Sequence, residues 1–150
     1  MSYLLLHDGA SLCNPGHAGA GFVIKDKNLK IITKKAIYLD KNTNNYAEYL
    51  ALMLGLKEAL KLKIKDIVCA TDSNLVVEQM NGKFKVKANN LKPLYAEAQD
   101  LVSQFKKIKF YWIPREENTE ADELSKDAIQ KHLDNNGGIL EGILKKHNFK

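Results

Sequence analysis

The chain has 150 residues, 45% of them hydrophobic and 27% charged, with a formal net charge of +5. That length is about one domain, enough to bury a core without disulfides or structural metal. No apolar run approaches the roughly 18 residues of a membrane span and the first residues lack a charged signal-peptide head, so a cytoplasmic, non-membrane protein is expected.

Tyr3 to Gly9, YLLLHDG, carries Leu4, Leu5 and Leu6 in succession, which predicts a central strand buried on both faces with Asp8 at its exit. A carboxylate there sits where open α/β sheets place their crevice. An Asp before Gly9 also suits an ordinary turn. The loop ASLCNPGHAG, with its Asn14-Pro15-Gly16 turn, leads to a second strand over Ala20 to Lys25. Asp26-Lys27-Asn28 fits a hairpin, and Lys30 to Tyr38 supplies a third strand, completing an antiparallel meander. Beyond the polar link Asp40 to Asn45 the composition turns to Ala, Leu and Met, which favours helix. Leu50 to Leu56 is apolar nearly all round, so this helix should be deeply packed.

Asp66 to Asp72, DIVCATD, repeats the first strand's design, ending in an aspartate before the small Ser73. A helix pattern runs to Met80 and stops at Asn81-Gly82. Lys83, Lys85 and Lys87 alternate with Phe84 and Val86 in what reads as a short extended segment. Asn90 is the expected cap of the next helix, with Pro93 in its first turn and Leu91, Leu94, Tyr95, Ala98, Leu101, Val102 and Phe105 on one face. Ile108 to Ile113 forms a last strand with Ile108, Phe110 and Trp112 toward one side. The charged loop PREENTE then enters a helix striped by Ala121, Leu124, Ser125 and Ala128. The domain should span residues 1–134, closed by Asn135-Asn136-Gly137-Gly138. A tail over 135–150, with Ile139, Leu140, Ile143 and Leu144, is expected to pack on its own domain, a partner-binding peptide being the alternative.

This order predicts an α/β fold: a five-stranded mixed sheet, an antiparallel meander plus two parallel strands, with helices on both faces. Cys13 and Cys69 lie far apart without CxxC spacing, which suits a loop thiol and a reduced core thiol in an intracellular protein; a bridge stays open.

Charge is unevenly spread. From Val76 to Trp112 seven lysines face three acids, whereas from Ile113 to Asn135 seven acids face three bases, one of them Arg115, the chain's single arginine. A basic flank beside an acidic patch suits a protein that holds a polyanion and places carboxylates at one point on it. A lysine-rich solvated surface gives the same count. Matching strand ends suggest that Asp8 and Asp72 lie side by side, where unpaired carboxylates would repel unless a divalent cation sat between them. Glu48, expected in the first turn of the most apolar helix, is a third acid, although Asn45 three residues earlier also makes it the partner of a capping box. A fourth could be Asp122, but Glu116, Glu117, Glu120 and Glu123 are its rivals, and acids near a helix start commonly complement the dipole.

The segments HDGAS, NNYAEYLAL, ATDSNLVVEQM and WIPREENTEADELS resemble, in order and spacing, the four signature blocks of the type 1 ribonuclease H family, across about residues 3 to 130. The resemblance implies an endonuclease that cuts the RNA strand of an RNA/DNA hybrid by metal-assisted hydrolysis, leaving 5′-phosphate and 3′-hydroxyl ends, with double-stranded RNA open as a second substrate. It places an Asp-Glu-Asp-Asp quartet on Asp8, Glu48, Asp72 and Asp122. Asp8 would bridge two Mg2+ ions, for which Mn2+ could substitute, with Asp122 on the ion that activates water and Glu48 and Asp72 on the other. Asn14, Asn44 and Asn45 match minor-groove positions, and Thr43 and Asn74 match polar positions near the nucleic acid, with turn and cap roles as the alternative; short amides suit 2′-hydroxyls and groove-facing base edges.

Two departures point to an archaeal-like branch. The loop before Asp122 lacks the histidine that many bacterial members place there, leaving Arg115 as the cationic substitute. The segment from Met80 to Asn90 is too short for the family's basic protrusion, whose DNA-gripping work falls in part to Lys83, Lys85 and Lys87. No catalytic role is expected for His7, His17, His132 or His147. The protein should act as a monomer. Rival readings are an integrase or exonuclease on the same architecture, which the asparagine pair disfavours, and a binding module without chemistry, which four like charges without metal disfavour.

Overall fold

The structure is a computed structural model and describes residues 2–135. Five strands form: β1 (Tyr3–Ser11), β2 (Gly16–Lys25), β3 (Ile31–Asn42), β4 (Asp66–Thr71) and β5 (Lys107–Trp112). They make one sheet in the order β3-β2-β1-β4-β5. The first three pair antiparallel, while β1 with β4 and β4 with β5 pair parallel, as expected. Four helices pack on it: α1 (Asn44–Lys61), α2 (Asn74–Met80), α3 (Lys92–Val102) and α4 (Thr119–Asn135), with a 3₁₀ turn over Arg115–Glu117 ahead of the last.

Successive side chains of a strand point to opposite faces, and Leu5 and Leu6 of β1 divide the core accordingly. Leu5 joins Phe22, Ile24, Tyr49, Leu52, Leu56, Leu94, Ala98 and Leu101 in the main core, which α1 and α3 cover. α1 lies between the sheet and α3, which is why its sequence is apolar nearly all round. Leu6 turns the other way, to Val23, Ala70 and Ala121 under α4. There the helix rests directly on the strand: a Cβ at Gly21 would stand 2.4 Å from the Ala121 carbonyl oxygen.

Several local expectations change. Asp8 is not at the exit of β1, which continues to Ser11 with Asp8 opposite Gly21. Only the parallel partner stops, at Leu6 with Ala70, so Asp8 leaves one pairing while staying inside the other. β2 starts at Gly16 and β3 ends at Asn42, both longer than the apolar alternation suggests, because ladder hydrogen bonds need no apolar side chains. Asn90 does not cap α3; Leu91 holds that position without a side-chain bond, and Pro93 fills the first turn. The segment containing Lys83, Lys85 and Lys87 joins no strand. Trp112 is exposed rather than sharing the buried side of Phe110, because it lies at the strand's end with its indole turned to the Asp72 carbonyl. Both cysteines are free, Cys13 exposed and Cys69 buried. Among the described residues no helix is long and apolar enough to cross a membrane. The expected tail lies outside the described residues.

Candidate active site

Four acids reach one place from four elements. Asp8 comes from β1, Glu48 from α1, Asp72 from just past β4 and Asp122 from the first turn of α4. With Gly9, Asn44 and Arg115 they line a single cleft of about 90 Å³. A cleft this small suits ions rather than an enclosed organic ligand, leaving a polymer to lie across it.

Gly9 sets the approach of Glu48. A Cβ there would stand 2.3 Å from the Ala47 carbonyl carbon, so only glycine lets the α1 backbone lie this close to β1. The Gly9 N–H donates to Glu48 Oε1 at 2.5 Å and to Asp8 Oδ1 at 3.0 Å, tying the two acids to one peptide. The capping-box alternative is thereby excluded. Thr43 is the cap, its hydroxyl accepting from the Tyr46 N–H, while Asn45 lies inside the helix and Glu48 beyond its first turn.

Asp8 and Glu48 are both buried. Burial, then the charge of Glu48 beside it and of Asp72, holds the Asp8 carboxyl far above the usual carboxylate range, and it also bonds the Glu48 and Asp122 carboxyls. Burial likewise raises Glu48, opposed by its bonds to Asp8, the Gly9 N–H and the Ser73 hydroxyl. Buried beside like charge, Asp8 and Glu48 favour their protonated forms unless a cation balances them. Among the described residues no three are already set around one point for a metal ion. The donor set nevertheless fits one chemistry: carboxylate oxygens alone, in negative excess, match a hard divalent cation that would replace those protons.

Outer contacts orient the rest. Asp72 Oδ1 accepts from Asn118 Nδ2 at 2.8 Å, and the Asp72 carbonyl accepts from Trp112 Nε1 at 3.2 Å. Asp122 Oδ2 meets Lys126 Nζ at 3.1 Å, one helical turn on. Arg115 is an exposed cation on the cleft wall. Asn44 also lines it, and its backbone N–H donates to Asn14 Oδ1 at 2.8 Å, which ties the Asn14 side chain to the start of α1 beside the cleft. Thr43, Asn45, Asn74, Lys83, Lys85 and Lys87 are not among the cleft's lining. Lys83 instead borders a groove with Asn81 and the Ile108, Lys109, Phe110 and Tyr111 stretch of β5.

The described histidines stand apart from the cleft. His7 is buried in β1 with no hydrogen-bond partner for either ring nitrogen among the described residues, and burial holds its pKa at about 3. His17 Nδ1 lies 2.6 Å from the Tyr38 hydroxyl, and His132 stacks on Tyr38. His147 lies outside the described residues. Ser73, Lys126 and Asn118 are the contacts that sequence reasoning missed. Ser73 also caps α2, its hydroxyl accepting from the Val76 N–H, and the carboxylate partner of Asn118 is 46 residues away, beyond any local pattern.

A family model described as reverse transcriptase-like matches residues 6–128. The "Bifunctional protein Rv2228c" of Mycobacterium tuberculosis is 42% identical over 130 residues, which cover 86% of this chain but 36% of that protein, so the chain spans about a third of the length of this relative. The solved N-terminal RNase H domain of Rv2228c superposes with a TM-score of 0.86 at 39% identity, covering 91% of this chain and 99% of that one. RNase H1 of the halophilic archaeon Halobacterium salinarum gives 0.85 at 30% identity, covering 87% and 99%. LC11-RNase H1, solved in complex with an RNA/DNA hybrid, gives 0.84 at 35% identity, covering 88% and 99%. Matching in sequence across most of its length and in fold to domains it covers almost completely, the chain belongs to the type 1 ribonuclease H family.

Proposed function

We infer that the protein is an endonuclease that hydrolyses the RNA strand of RNA/DNA hybrids with two divalent metal ions, leaving 5′-phosphate and 3′-hydroxyl ends. The observation that carries this reading is the convergence of Asp8, Glu48, Asp72 and Asp122 on one cleft, where burial and then the neighbouring carboxylates hold the Asp8 carboxyl above its usual range. Two divalent ions, when bound, would supply an activated water and charge to stabilise the attacking and leaving oxygens of one displacement. Asp8, Glu48, Asp72 and Asp122 would hold the ions, Asp8 serving both, Glu48 and Asp72 one and Asp122 the other, while Lys126 stands beside Asp122. No nucleophilic side chain is needed. Arg115 faces the phosphate from the cleft wall, and Asn14 and Asn44 meet the minor groove at the rim. Thr43, Asn45 and Asn74 act at the edge of that contact, and Lys83, Lys85 and Lys87 hold the DNA strand farther out. Affinity should therefore be modest and fall steeply with salt. The protein works as a cytoplasmic monomer.

Labelled RNA/DNA hybrid, RNA duplex and DNA duplex incubated with Mg2+, Mn2+ or chelator test this. Metal-dependent nicking of the hybrid's RNA strand is the expected result, and cutting of the RNA duplex would widen the substrate class under the same chemistry. Hybrid bound but uncut in both metals would make the protein a binding module.

A further inference from the structure

Asn118 is fully buried beneath the cleft at the start of α4, yet its amide does not serve its own helix. Nδ2 donates one proton to the His7 carbonyl at 3.0 Å and the other to Asp72 Oδ1 at 2.8 Å. Its Oδ1 meets no donor among the described residues, so the two acceptors alone fix which way the amide faces. Its backbone carbonyl accepts from the Asp122 N–H at 3.1 Å, and its own N–H donates to the Arg115 carbonyl at 3.0 Å. One residue thus touches the peptide before Asp8, the Asp72 carboxylate, the first turn that carries Asp122, and Arg115.

Each contact has a physical consequence. β4 stops pairing with β1 at Ala70, so the His7 carbonyl lies past the last parallel register pair, and Asn118 supplies it a donor. A neutral amide occupies one oxygen of Asp72 without cancelling its charge, as a lysine or arginine would. Asp72 Oδ2 stays available as an anionic ligand, held in a fixed direction by Oδ1.

We propose that Asn118 is a positioning residue that aims Asp72, and through the start of α4 Asp122, at the divalent cations of the cleft. This rests on the two-metal reading above. Loss of such an outer contact on a ligating carboxylate typically lowers metal affinity or activity about 10- to 100-fold.

The test compares wild type with Asn118→Ala and with Asn118→Ser, which keeps a single donor, and uses Leu133→Ala in the apolar packing under α4 as a stability control. Three quantities are measured: Mn2+ affinity by calorimetry without nucleic acid, the Mg2+ concentration for half-maximal hybrid cleavage, and kcat and KM at saturating metal. Asn118→Ala should bind Mn2+ about tenfold more weakly and need about tenfold more Mg2+, with KM for hybrid within about twofold and Asn118→Ser in between. Leu133→Ala should lower Tm without moving the metal requirement. If both Asn118 variants match wild type in Mn2+ affinity and Mg2+ requirement, the proposal is overturned while the nuclease reading stands. If wild type binds Mn2+ but cuts no hybrid, the nuclease reading fails and the Mn2+ affinities still decide the role of Asn118. If wild type binds no Mn2+, both fall.

Discussion

The two faces of the sheet are built on different principles. Under α1 and α3 the contact is bulky: Leu5, Phe22, Ile24, Tyr49, Leu52 and Leu56 interlock, each excluded from water. Under α4 it is thin, made by small residues such as Ala121, Ser125 and Ala128 lying almost on the β2 backbone at Gly19 and Gly21. The acid cluster draws Glu48 from the thick face, Asp122 from the thin one, and Asp8 and Asp72 from the sheet between. Its geometry therefore depends on a close backbone approach on one side and on bulk burial on the other. Damage to the two faces should be felt differently.

The largest effect is expected at the seam itself. Asp8→Asn removes the carboxylate proposed as the central ligand and should lower hybrid cleavage by about a thousandfold while leaving the fold intact, as a cleavage rate beside a circular dichroism spectrum would show. Next comes the thin face. Gly21→Val would push α4 off β2, and moving Asp122 by about 1 Å should cost about 100-fold in kcat. Retained activity would mean that α4 can shift without carrying Asp122 with it. The thick face should answer in stability instead: Leu56→Ala leaves a cavity and should lose about 2–5 kcal/mol in a denaturant titration, with kcat near wild type well below Tm.

A smaller effect distinguishes the seam from both faces. In chelator, Asp8 and Glu48 hold protons more tightly folded than unfolded, chiefly through burial. From about pH 4 upward the folded state then binds the excess protons, and stability falls as pH rises. His7 works the other way: burial lowers its pKa, so below about pH 6.5 the unfolded state takes the proton and stability drops with acid. Metal-free Asp8→Asn should accordingly gain Tm over wild type as pH rises toward about 8, and Mg2+ should close that gap by stabilising wild type alone. An Asp8→Asn advantage that is constant with pH would contradict this. The smallest change is expected on the solvent side of α1. There the Lys57–Glu97 pair, 3.2 Å apart with both side chains about half exposed, should contribute less than about 1 kcal/mol on removal.

The strand order and the mixed sheet were legible because apolar runs, turn residues and a switch from β-branched to helix-forming composition are all local. Of the predicted stripe, Leu91, Leu94, Ala98, Leu101 and Phe105 are buried, while Tyr95 and Val102 pack on the same core only partly buried. Strand ends were less legible: Gly16, His17, Lys41 and Asn42 pair through their backbones, which leaves no mark on side-chain pattern. The Asn90 cap failed because α3 starts one residue later than expected, with Leu91 at the cap position and Pro93 in the first turn.

By itself the sequence singled out Asp8 and Asp72 through two repeated strand endings, whereas Asp122 was chosen from its acidic neighbours only through the resemblance of four ordered blocks. It also determined that Glu48 sits in an apolar helix, where a carboxylate needs a reason to be. Only the tertiary structure decided that the Gly9 N–H, rather than the cap of α1, is the partner of Glu48. It alone decided that Asn118 turns inward to Asp72 and His7 instead of closing its own helix. Capping and site-building use the same residue types with the same local spacing. What separates them is a partner 39 residues away for Glu48 and 46 for Asn118, brought close only when the sheet and both helices have packed.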